Sequence, residues 1–145
     1  MTIPVSPSPS RFPGLLGAGL PLSGIALAAL AAVGAYLIRY GFIEPEALGD
    51  FCTAQGVDGP AWCGLRTGLI VATKWRVFGW GAVILAVSAL FSGPRRRAVI
   101  LSLAAMAAGG AGLYFYNATE SAIALMIALV RLANLGAANP GGQPR

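Results

Sequence analysis

Two charge-free apolar runs, Val77 to Ser92 and Ala98 to Thr119, are separated only by Gly93-Pro94-Arg95-Arg96-Arg97. No other feature restricts the fold so strongly. A water-soluble chain has no use for consecutive uncharged stretches of this length, whereas a lipid bilayer requires them, because a membrane helix needs about 20 predominantly apolar residues. Gly-Pro stops one helix and the arginines open the next, so the interruption reads as a tight turn between antiparallel membrane helices. Lys and Arg accumulate on the cytoplasmic side of short loops, so Arg95, Arg96 and Arg97 set the topology of every other segment.

Composition agrees. Of 145 residues, 57% are hydrophobic and 10% are charged, against about 25% charged in an average soluble domain. The mean hydropathy is +0.73. A net charge of +5 could suit nucleic acid, but the arginines sit at helix ends, where they contact anionic headgroups instead. No nucleic-acid partner is expected. Histidine is absent, which removes the usual ligands of haem b and the commonest ligand of zinc. Two cysteines are too few for a structural zinc site or an iron–sulfur cluster, so no cofactor and no metal are predicted.

The pattern predicts an all-α integral membrane protein with four transmembrane helices arranged as two hairpins. The spans are expected at about 20–40, 75–92, 98–116 and 120–135, inside a membrane domain covering 15–136. Residues 1–14, with Pro4, Pro7, Pro9 and Pro13, read as an extended cytoplasmic tail, and 137–145 as a second one. The apolar stretch after Arg11 is longer than a signal-peptide core, although its alanines resemble a cleavage site. The loop 41–74 holds Glu44, Glu46, Asp50 and Asp58, four of the five acidic residues, and both cysteines. With the arginine triplet inside, this loop faces the periplasm of a bacterial inner membrane and both termini are cytoplasmic. Lys74 and Arg76 then lie outside, beside the acidic residues. Leu65, Leu69 and Val71 predict a short helix over 62–73 that leads into the second span.

Cys52 and Cys63, separated by Gly56, Gly59 and Pro60, are expected to form a structural disulfide in an oxidising compartment. The four-helix layout with outer cysteines resembles the quinone-coupled disulfide-generating membrane enzymes. Those use a Cys-x-x-Cys and a second cysteine pair, and this chain has neither. Arg39, Arg66, Lys74 and Arg76 would form an outer cationic rim able to contact a headgroup or a small anionic ligand. Gly24, Ala28 and Ala32 in the first span, and Ala105, Gly109 and Gly112 in the third, supply close-packing surfaces. Asn117 and Glu120 predict a capping box opening the fourth span, and Ser121, Ala124 and Ala128 share one face of it. Asn117-Ala118-Thr119 is also a glycosylation sequon, subordinate to the cap. Arg131 is expected to snorkel at the inner end.

No span carries a central carboxylate, and there is no phosphate loop or nucleophile–base arrangement. The expected role is a non-catalytic accessory or assembly subunit whose partners are the lipid bilayer and other membrane subunits or further copies of itself. The alternatives are a thiol–disulfide oxidoreductase using Cys52 and Cys63, and a small-molecule or lipid carrier using the outer rim.

Overall fold

The computed structural model describes residues 19–138; the expected tail 1–14, its possible processing site and most of 137–145 lie outside the described residues. Every regular element within this range is helical. Helix α1 (Gly19–Ile38) carries no charged residue and widens into a single π turn at Arg39–Ile43. The predicted outer loop is itself helical: α2 (Glu46–Gln55), a short 3-10 turn and α3 (Ala61–Lys74). Helices α4 (Val77–Phe91), α5 (Arg95–Tyr114) and α6 (Ala118–Ala137) follow. Pro45, Pro60 and Pro94 cap the N-termini of α2, α3 and α5 with extended ψ values of 120°, 151° and 126°. Each proline fixes φ in a helix-compatible well while lacking an N–H that would need an acceptor, so it redirects the chain into the helix. Gly56, with φ of 59°, ends α2 in the left-handed region that glycine enters without steric cost.

Three segments, Gly19–Ile43, Arg95–Tyr114 and Ala118–Ala137, are long and apolar enough to cross a membrane. The predicted span 75–92 is not matched by one straight helix. Helix α4 has 15 residues, about 22 Å at 1.5 Å per residue, which is short of a hydrocarbon core of about 30 Å. It qualifies as a span only together with α3, from which it is bent by 63°. The break falls at Trp75-Arg76, where Arg76 takes left-handed φ and ψ of 54° and 31°.

Helix α5 is central, with α1, α4 and α6 packed around it, and α6 also packs against α4. Helix α1 lies along α5 and, less extensively, along α6, and shares almost no interface with α4. The consecutive helices α4–α5 and α5–α6 are packed pairs, and α1 packs on α5 rather than on α4. The reason lies in the glycines. A Cβ placed on Gly110 would sit 2.9 Å from the Cα of Ala28 and collide with its carbonyl, so the α1 and α5 backbones are in direct contact. Gly24 lies against Leu132 and Met106.

The radial order of side chains is inverted relative to a soluble protein. Ala82, Ala86, Ala98, Ala105, Ala124 and Ala128 are fully buried, and Leu132 is the largest side chain completely enclosed. Phe91, Leu30, Met126 and Ile84 project outward with more than 60% of their surface exposed. Small residues inside let backbones approach, and large apolar residues outside need a solvent that accepts them. Hydrocarbon is such a solvent.

Candidate functional site

The end of the bundle where α1 and α5 finish and α4 and α6 begin carries both ion pairs found among the described residues, and its polar chemistry falls in two parts. The first is an arm made of α2 and α3. A disulfide joins Cys52 to Cys63 with their Cα atoms 5.6 Å apart, and Cys63 is buried. The Trp62 ring stacks on Phe51 at 5.5 Å and meets Phe42 at 6.2 Å. Arg66 donates to the carbonyls of Phe42 at 3.1 Å and Ile43 at 2.7 Å. It thereby satisfies acceptors left free where the π turn ends, so this predicted ligand contact ties the arm to the end of α1.

The second part is a collar around two helix corners. Where α5 ends, the Asn117 N–H donates to the Gly112 carbonyl at 3.1 Å, closing a Schellman turn whose left-handed position normally takes glycine. Here it is Tyr116, with φ of 59°. Arg76 holds the corresponding position after α3 and donates its N–H to the Thr73 carbonyl. A left-handed conformation in a residue with a Cβ costs about 1–2 kcal/mol, so strain gathers at two corners that share one surface. Both side chains line a cavity of about 380 Å³ with Ile70, Thr73 and Lys74.

Each strained residue is engaged through its side chain. Arg76 forms an ion pair with Glu120, joining the start of α4 to the start of α6. The Tyr116 hydroxyl accepts from Arg39, whose guanidinium also lies 3.9 Å from the centre of the Tyr116 ring. Arg39 further donates to Glu44 at 2.8 Å and to the Tyr114 carbonyl at 2.8 Å. Three of the four predicted rim cations are thus engaged within the protein. Lys74 alone among them has no ion pair or hydrogen bond among the described residues. Arg39, Lys74 and Arg76 converge on Tyr116, while Arg66 belongs to the arm.

Asn117 does not form the predicted capping box. Its Nδ2 donates to the Phe115 carbonyl at 2.7 Å, and it makes no side-chain cap bond. Glu120 is drawn away to Arg76. Asn117 is also fully buried, so the folded chain does not present the sequon. Its Oδ1 and the hydroxyls of Ser121 and Ser102 have no hydrogen-bond partner among the described residues. Asn117 packs against Gly79 and Ser121 against Gly112, both too close to admit a larger residue.

At the opposite end of the bundle, Arg131 donates to the carbonyls of Ala89 and Ser92, and Arg95 to that of Leu135 at 3.0 Å. Arg96 and Arg97 are exposed and have no side-chain partner among the described residues. Three arginines in the first turn of α5 oppose its dipole, so they are not there to stabilise that helix. Of the predicted packing residues, Gly24, Ala105, Gly109 and Gly112 are buried, and Ala28 and Ala32 are half-buried. Gly79, Gly110 and Tyr116 were not singled out from sequence. A connection of three residues between α5 and α6 that contains no glycine implies that some other residue must turn left-handed, but residue type favours Asn117 for that position, and the structure uses Tyr116.

Comparison with protein-family models, curated proteins and solved structures finds no match to this chain.

Proposed function

We propose that this protein is a non-catalytic subunit of a larger membrane assembly, embedded by its helix bundle and joined to its partner through the α2–α3 arm. The reading places it in a bacterial inner membrane, with the arm periplasmic and the arginine-rich α4–α5 turn cytoplasmic. The observation that carries it is the arm's independence. It is closed internally by the disulfide and the Phe51–Trp62 stack, yet among the described residues its only substantial contacts outside itself are with the π turn and the start of α4. The bundle core contains no residue of the arm, so the arm is not needed to complete that core. It exposes Leu65 and Val71 on α3 and Phe51 on α2, apolar area of the kind that marks an interaction surface.

Purification in mild detergent tests this reading. The wild-type chain should elute with a second membrane protein, and replacing Leu65 and Val71 by Glu should release that partner while the disulfide remains intact. A strictly monomeric wild-type chain with nothing bound would overturn it. Thiol–disulfide exchange is disfavoured because Cys63 is buried and no second cysteine pair exists to pass electrons onward. The carrier reading would need the Lys74 cavity, and flux in proteoliposomes that is indifferent to Lys74→Ala would count against it.

A further inference from the structure

We infer that the inner end of α5 forms a binding site for one anionic phospholipid, its phosphate held by Arg96 and Arg95 and an acyl chain lying between α5 and α1. A groove of about 490 Å³ opens there, lined by Leu20 of α1 and by Arg95, Arg96, Val99 and Ile100 of α5. The arrangement is amphipathic along the direction a lipid would take. Arg96, Val99 and Ile100 follow i, i+3, i+4 spacing, so they share one face of the helix. At 1.5 Å per residue, the two apolar side chains lie about 4.5 and 6 Å further along α5 than the guanidinium. A headgroup at Arg96 therefore places its hydrocarbon against Val99, Ile100 and Leu20.

Charge complementarity selects the headgroup. Arg95, Arg96, Arg97 and Arg131 all lie at this end, whereas Glu44, Glu46, Asp50, Asp58 and Glu120, the five acidic residues of the chain, all lie at or beyond the opposite ends of the helices. The carboxylates that pair with arginines do so at that outer end, as Glu44 with Arg39 and Glu120 with Arg76. Among the described residues, the inner guanidiniums find only carbonyls: Arg131 holds Ala89 and Ser92, and Arg95 uses one donor on Leu135. Arg95 keeps further N–H groups, and Arg96 keeps all of its own among the described residues. A phosphodiester accepts forked donors from guanidinium groups and supplies the missing negative charge. Free phosphate would satisfy the arginines but leave the apolar walls unused, so the site is assigned to a lipid.

The inference rests on the membrane reading and is tested separately from it, by native mass spectrometry of the detergent-solubilised chain titrated with dioleoyl phosphatidylglycerol or dioleoyl phosphatidylcholine. One phosphatidylglycerol should be retained in preference to phosphatidylcholine. Arg96→Gln should weaken retention about fivefold, the equivalent of one interfacial arginine–lipid contact. Arg97→Gln removes the same charge one residue away but outside the groove, and should change retention less than about twofold. Glycerophosphoglycerol, the same headgroup without acyl chains, should not compete. Equal losses from both variants, no headgroup preference, or competition by the chain-free headgroup would each overturn the site. A chain that never enters micelles would instead overturn the membrane reading itself.

Discussion

The bundle and the arm are held together by different physics. In the bundle, α1, α4, α5 and α6 meet through Gly24, Ala86, Ala105, Gly110 and Ala124, with no ion pair at the centre of any span. Where hydrocarbon is the solvent, apolar residues gain little by clustering, and affinity between helices comes from close backbone approach. The arm has few residues to bury, and it relies on a covalent bond, three aromatic rings and one arginine on two carbonyls. Shape holds one region and specific bonds hold the other. Either should therefore be able to fail while the other stays folded.

Removing the disulfide is expected to have the largest effect. Cys52→Ser should cost the arm about 3 kcal/mol of loop-closure stabilisation, read as faster amide exchange over α2 and α3, with α5 unchanged. Next comes Gly110→Ala, which drives a methyl into the Ala28 backbone and should destabilise the bundle by about 2 kcal/mol in detergent melts. Gly34→Ala, with open space around it, should stabilise by up to about 1 kcal/mol. If both substitutions behaved alike, close packing would not be what holds α1. Arg76 probes the border between the regions. Arg76→Ala and Arg76→Gly both lose Glu120, but only alanine keeps the left-handed strain, so it should be less stable by about 1 kcal/mol. The smallest change is Arg39→Gln, which loosens the end of α1 from the α5–α6 corner by about 0.5–1 kcal/mol, visible as increased exchange at Tyr114 and Tyr116.

The same contrast explains what was legible in the sequence. Helices α1 and α5 follow from charge-free apolar length, and α6 from an apolar stretch that carries charge at Glu120 and Arg131 alone, properties of composition that need no partner to be known. The disulfide follows from two cysteines flanking a glycine-rich turn. The placement of α1 was not legible: it lies on α5 because Gly110 meets Ala28, a contact between residues 82 positions apart whose glycine looks like many others. The α3–α4 bend was hidden because Lys74 and Arg76 resemble interfacial anchors until the backbone at Arg76 is seen. At the site, the rim arginines were identifiable as residues but not by partner. Arg66 bonds backbone carbonyls 23 and 24 positions away, and such acceptors have no signature in sequence. Asn117 and Glu120 had the right types and spacing for a cap, yet Arg76 competes for Glu120 across 44 residues.

The central claim is that the two ends of the bundle face opposite sides of a membrane, with the arm outside and the arginine turn inside. Single-cysteine labelling tests it directly. In a chain with Cys52 and Cys63 replaced by Ser, Ala54→Cys and Arg97→Cys would each be exposed to a membrane-impermeant maleimide on intact cells. The account predicts that the cysteine at 54 is labelled at once and that the one at 97 is labelled only after permeabilisation. Labelling of both from the same side, or recovery of the chain in the soluble fraction, would contradict it.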